Sequence, residues 1–312
     1  MKNRQPQKGE SFLRLYFECV IIMAYKYFDR KLTIESASVN LRRVLRTSSL
    51  LRMLQELTIA FTETEGVTRK ETLDRGLLWV IAKQNFEITR LPAYDETITL
   101  RCYALPTMHM FFPRYYEVYA GDAPQPCNTE AGQIPTAPGA DIQTDMAKTD
   151  DSGVSRLAAG KNHKAFDRPL PIISGTTIWL LMDEKKRSMI LPEMYGIELS
   201  GGDTPAGYDI PKAIAMPKDE SGISEKLVTA PFSLADINGH INNAHYFDIA
   251  EDTIPFEEVK LLEPTGFEAE YEHEILPGDE IRLTYMKAED GWYFRGTFAA
   301  DGKDAFRIHI KI

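Results

Sequence analysis

The chain has 312 residues, too many for one small domain and suited to two, with 43% hydrophobic and 26% charged residues. That balance excludes a disordered or membrane-embedded chain. Lys and Arg total 36 against 46 Asp and Glu, a net charge of −10, which excludes a general polyanion binder and so argues against nucleic acid as a partner. No apolar run reaches the roughly 18 to 20 residues of a bilayer-crossing helix, so no membrane span is expected.

Residues 1–30 read as an N-terminal extension: a basic start, MKNRQPQKGESFLR, then the apolar LYFECVIIMAY, interrupted by Glu18. No small-x-small cleavage site follows, which argues against a signal peptide. Cys19, Cys102 and Cys127 are far apart and odd in number, without Cys-x-x-Cys. Neither a disulfide framework nor a thiolate zinc site fits, and a reducing cytoplasm suits the chain.

The first half, 31–199, opens with a strand-like run, Thr33 to Val44, and continues into a helix from Ser49, with Ser48 or Ser49 as N-cap. Leu50, Leu54, Leu57 and Phe61 make its apolar stripe. Strand-like runs follow: LLWVIAKQNFEITRLP, ETITLRCYA, FFPRYYEVYA and GTTIWLLMDEKKRSMILP. Between the last two, residues 120–171 are rich in Gly, Pro, Ala, Thr and Asp with Phe166 as the only aromatic, the composition of a flexible insertion. Residues 200–222 read as a linker.

The second half, 223–312, begins with the strand-like EKLVTAPFS. A helix from about Asn242 carries Tyr246, Ile249, Ala250, Thr253 and Ile254 on one face, and GFEAEYEHEILP, DEIRLTYMKA, WYFRGTFAA and AFRIHIKI read as strands. The halves echo each other: Phe86–Leu100 resembles Tyr271–Leu283, each with Leu-Pro, an acidic turn and Ile-x-Leu, an alignment that sets Thr89 opposite Glu274. One helix followed by long antiparallel strands, twice, predicts an α+β chain in which each sheet wraps a central helix.

FSLADINGHINNAHYFDIAED is the most informative stretch. If it is extended, Asp236, Asn238 and His240 project to one side, just before a helix start at Asn242 and Asn243 whose unpaired N–H groups suit a developing oxyanion. Carboxylate, amide and imidazole in that place suit hydrolysis of an acyl bond by water. The same residues also suit plain helix capping, and His240, His245 and Asp236 are a third option as zinc ligands.

Asp-x-Asn-x-His-x-Asn-Asn followed by a helix with Tyr246 resembles the second-domain signature of acyl-ACP thioesterases. That family has a later Tyr-x-x-Glu-Cys element; Tyr271 and Glu274 match it, while Ile275 stands in place of Cys, which argues against a thiol nucleophile. The resemblance implies two tandem hotdog domains and hydrolysis of a fatty acyl thioester carried on acyl carrier protein, with no metal or organic cofactor. Water would be the nucleophile, activated by Glu274 or Asp236 with His240, oriented by Asn238, the oxyanion held near Asn242 and Asn243; a covalent acyl-Glu274 route is a variant. The first half has VLRTSSLL where the signature would stand. It is therefore expected to supply the acyl pocket, from Leu50, Leu54, Leu57, Phe61 and Trp79. Arg42, Arg43, Arg46 and Arg52, or Lys185, Lys186 and Arg187, are candidate docking sites for an acidic carrier. An acyl-CoA thioesterase of the same fold and a non-catalytic acyl-binding module are the alternatives, and a monomer or a homodimer would both satisfy the sheet edges.

Overall fold

Apolar stripes on two helices and alternating side chains on the strands decide the architecture. The structure, a computed structural model, describes residues 25–125, 169–199, 201–218 and 222–312. The first half contains β1 (Tyr27–Thr33), α1 (Thr47–Thr64), α2 (Arg69–Asp74), β2 (Leu77–Ile88), β3 (Thr97–Ala104), β4 (Phe111–Ala120), β5 (Ile173–Asp183) and a short β6 (Ser188–Met189). The second contains β7 (Ser224–Thr229), α3 (His245–Glu251), α4 (Phe256–Val259), β8 (Gly266–Tyr271), β9 (Glu280–Ala288), β10 (Gly291–Phe298) and β11 (Asp304–Lys311).

All strand pairings are antiparallel, in the order β1-β3-β4-β5-β2-β8-β11-β10-β9-β7, with β6 on β5. The halves join where β2 pairs with β8, Asn85 opposite Glu268 and Phe86 opposite Phe267. The two Phe rings stack at 5.0 Å. Leu50, Leu54, Leu57 and Phe61 of α1 are at most 3% exposed and share one core cluster with Tyr246, Phe247 and Ala250 of α3. Each such apolar side chain contributes about 1.5–3 kcal/mol by leaving water. Helices α1 and α3 run antiparallel: Thr47 meets Glu251, and Gln55 meets Asn242.

Several boundaries differ from the sequence reading. The strand at the start is Tyr27–Thr33, not Thr33–Val44, so the last residues of the expected extension belong to the sheet. After Thr33 the chain makes a 3-10 turn, and the Asn40 side chain accepts from the backbone N–H groups of Arg42 and Val44. Those local bonds replace a strand ladder. Helix α1 starts at Thr47 rather than Ser49, and no side chain caps it; α3 starts at His245 and ends before Thr253 and Ile254. In GFEAEYEHEILP only Gly266–Tyr271 is strand. The bulk of the 120–171 insertion lies outside the described residues, while the strands flanking it pair with each other. The described part of 200–222 is held to both halves: Gly202 N–H donates to the Ala104 carbonyl, and Ile214 packs on Met286 and Tyr293.

The duplication is written into the hydrogen bonds. Asn40 N–H donates to Val44 as Asp236 N–H does to His240, each at 2.9 Å, and Leu45 donates to Pro92 as Ile241 does to Ile275, each at 2.8 Å. The acidic turns correspond too: Ala93 N–H bonds the Glu96 carboxylate, and Leu276 N–H that of Asp279. With Glu96 matched to Asp279, Leu91 stands at the place of Glu274. Thr89, the residue expected there, is two positions away, because the acidic turn sets the register and the Leu-Pro pair does not.

Candidate active site

The turn preceding α3 is closed rather than extended. Asp236 N–H donates to the His240 carbonyl and Gly239 N–H to the Asp236 carbonyl, with Gly239 at φ 82°, a conformation that favours glycine. Asp236, Asn238 and His240 therefore converge around a tight turn and not along one side of a strand. The Asp236 carboxylate accepts from Asn238 N–H at 2.8 Å and from the side-chain amides of Asn238 and Asn242, each at 3.4 Å. Capping of the turn and presentation of a carboxylate are thus one arrangement. His240 is 8% exposed, and its Nδ1 stands 3.8 Å from an Asp236 oxygen, beyond direct hydrogen-bond distance.

At the helix start, Asn242 N–H is engaged by the Leu234 carbonyl and Ala244 N–H by the Asn242 side chain. Asn243 N–H makes no hydrogen bond among the described residues, and Asn243 is one of the residues lining the cleft. The Asn243 carbonyl accepts from the Tyr271 hydroxyl at 3.3 Å, which in turn accepts from Gln84 Nε2 at 2.6 Å. Burial raises the Tyr271 and Tyr246 hydroxyls above the ordinary tyrosine range, so both act as neutral props. Tyr246 accepts from Ile275 N–H, fixing the segment after β8 to α3.

This turn faces a cleft of about 290 Å³ whose opposite wall belongs to the first half. Asp236, Asn238, His240, Asn242 and Asn243 lie on one side; Gln55, Ile59, Trp79, Ile81 and Trp179 lie on the other. Beyond the shared Ile59, Arg69, Trp79 and Trp179 is a narrower pocket of about 20 Å³, bounded by Thr58, Phe112 and Arg114.

Two groups of expected residues stand elsewhere. Leu50, Leu54, Leu57 and Phe61 are sealed in the core and line neither space, because a helix wrapped by sheet buries its strongest apolar stripe; of the five expected pocket residues only Trp79 lines the cleft. Glu274, one third exposed, is not on the cleft wall: its carboxylate is 2.5 Å from the Arg187 guanidinium of the β5–β6 hairpin. His245, the third residue of the zinc option, has its Nδ1 2.6 Å from the Asp248 carboxylate. Among the described residues no group of three or more His, Cys, Asp or Glu is placed to hold a metal. Burial pushes the Cys102 thiol up to about 12, which makes it inert as a nucleophile.

Models of the acyl-ACP thioesterase N-terminal and C-terminal domains match residues 25–130 and 218–311. The chain belongs to the acyl-ACP thioesterase family. A curated relative, the chloroplastic acyl-[acyl-carrier-protein] hydrolase FATB2 of Cuphea viscosissima, is 20% identical over 84% of this chain. The chain spans 55% of that relative's length. Among solved structures, an acyl-ACP thioesterase from Bacteroides thetaiotaomicron has a TM-score of 0.66 at 16% identity, covering 91% of this chain and 97% of its own. The 12:0-ACP thioesterase from Umbellularia californica has 0.62 at 18%, covering 91% and 96%. These likenesses give the fold, an antiparallel hotdog α+β architecture. No helix among the described residues of this chain is long and apolar enough to cross a membrane.

Sequence reasoning passed over Gln55, whose Oε1 accepts from Asn242 Nδ2 at 3.1 Å and so helps hold the α3 start. Its position on the polar side of the α1 stripe carries no signal until α3 is packed against it.

Proposed function

We propose that this chain hydrolyses fatty acyl-ACP to free fatty acid and carrier protein, ending fatty acid synthesis, with the chemistry in the second of two hotdog domains (31–199 and 223–312). One observation carries the reading: a hydrogen-bonded Asp236–Asn238–His240 turn, with Asn243, whose N–H is unengaged among the described residues, lines a cleft walled on its other side by Trp79 and Trp179. The thioester carbonyl oxygen would rest on Asn243 N–H, its alkyl chain running toward Trp79 and Trp179. Water between Asp236 and His240 loses a proton to Asp236 as its oxygen attacks the carbonyl carbon. The oxyanion collapses, the C–S bond breaks, and the proton returns to the departing thiolate. Asp236 is favoured over Glu274 as base because Glu274 is paired with Arg187 outside the cleft. No cofactor enters this scheme, and the buried Cys102 thiol suits a reducing cytoplasm.

The acidic carrier would dock on the β5–β6 hairpin. Lys185 and Lys186 flank the Arg187–Glu274 pair there, whereas Arg42 and Arg46 line a separate groove. The test is steady-state hydrolysis of matched acyl-ACP and acyl-CoA substrates by the full chain. We expect kcat/KM on acyl-ACP to exceed that on acyl-CoA by about tenfold or more, falling as salt screens the docking charges. Equal turnover on both would assign an acyl-CoA thioesterase, and retention without hydrolysis a binding module.

A further inference from the structure

The duplicated turn makes a second cavity. Where the turn before α3 faces α1 across the catalytic cleft, the corresponding turn before α1 faces α3 across a groove of about 780 Å³. Asn40 holds the place of Asp236, Val44 that of His240, and Thr47 that of Asn243. Glu251 of α3 occupies the position that Gln55 of α1 has in the first cleft: Asn242 bonds Gln55, and Thr47 Oγ1 bonds Glu251 at 3.1 Å. Without a carboxylate–imidazole pair the groove has no counterpart of the hydrolytic turn. It keeps a polar end and an apolar wall.

We propose that this groove binds a free long-chain carboxylic acid, its head at Arg46, Thr47 and Glu251 and its alkyl chain along Leu41, Leu91, Phe256 and Leu262. The charges on its wall select the head. Arg46 is exposed and its guanidinium makes no hydrogen bond or ion pair within 4 Å among the described residues, while Arg42 is tied to Glu263 and Lys260 to Glu257. Helix α1 has eighteen residues, no side-chain cap and no acidic residue in its first turn, so its positive end adds to Arg46. The wall selects the tail: Leu41 is 80% exposed and Phe256 62%, with Leu91, Val259 and Leu262 beneath them. Apolar side chains displayed around a cavity favour an alkyl occupant.

Of the carboxylates on α3 facing this end, Asp248 feels burial pushing its carboxyl up, but hydrogen bonds from the His245 ring and Ser48 outweigh that and hold it below the ordinary range; Asp252 is exposed on the groove wall. Glu251 is the group at the floor. Burial pushes its carboxyl up to about 7, with Asp248 and Asp252 adding to the rise and Thr47 and Arg46 opposing it. A protonated Glu251 donates to an incoming carboxylate, whereas an ionised one repels it. Binding is therefore strong below pH 7 and weakens as pH rises through that value, by about tenfold between pH 6 and pH 8. The choice of ligand rests on these charges and does not depend on the hydrolytic reading of the other cleft.

The experiment is photolabelling of the full chain with a diazirine-tagged palmitic acid below its micelle threshold, with labelled peptides mapped by mass spectrometry. Expected is labelling of peptides 36–47 and 251–264, besides any in the catalytic cleft, falling about tenfold from pH 6 to pH 8. Arg46→Ala should reduce groove labelling about tenfold. Glu251→Gln, which installs the residue the other half already carries, should retain labelling and flatten its pH dependence. Labelling confined to peptides with Ile59 and Trp79, or groove labelling indifferent to Arg46, would overturn the proposal. So would protection of the groove that grows with protein concentration, since a second copy of the chain would then be its occupant.

Discussion

Asp236→Asn is expected to lower kcat on acyl-ACP by about 10²- to 10⁴-fold, the range for loss of a general base, with KM changed far less. The asparagine oxygen can still accept from Asn238 N–H, so the turn survives while the proton acceptor is lost. Thermal unfolding should shift by only a few degrees, which separates chemistry from folding. Steady-state kinetics beside a melting curve checks both. Undiminished kcat would remove Asp236 from the mechanism; a loss found instead in Glu274→Gln, with Asp236→Asn active, would assign the base to the residue paired with Arg187.

Phe267→Ala should cost about 3–5 kcal/mol of stability, the usual price of emptying a buried aromatic site. Phe267 is 1% exposed and meets Phe86 across the β2–β8 seam and Phe247 of α3, each at 5.0 Å. It therefore ties together both halves and the helix that follows the Asp236 turn. Urea unfolding measures the loss, and activity should fall in parallel, because Asp236 comes from one half and Trp79 from the other. A cost under about 1 kcal/mol would show that the seam carries little of the stability.

What the sequence displayed, and what it hid, follows from the range of the interactions involved. The α1 stripe was legible because burial at helical spacing is local, and the polar turn was legible because Asp, Asn, Gly and His lie within five residues. The same stripe misled about the pocket: apolar spacing shows that Leu54 and Phe61 are buried but not whether they face a cavity or a closed core. The echo between halves was real, yet Leu-Pro was a weaker anchor than the backbone bonds of the acidic turn, and the match to Glu274 slipped by two residues. Gln55 and Glu251 gave no signal, since a polar residue on a helix acquires its meaning only when the antiparallel partner is in place. Arg187, far along the chain from Glu274, belongs to the same class: the ion pair that takes Glu274 away from the cleft forms only when the β5–β6 hairpin meets the second half.

Single-turnover hydrolysis of dodecanoyl-ACP in ¹⁸O-enriched water tests most directly whether water attacks the thioester at the Asp236 turn. The expected result is one ¹⁸O in the released dodecanoic acid and none in the peptides carrying Asp236 or Glu274. Label in a Glu274 peptide would show a covalent acyl-enzyme, and the absence of any released acid would contradict the hydrolytic reading itself.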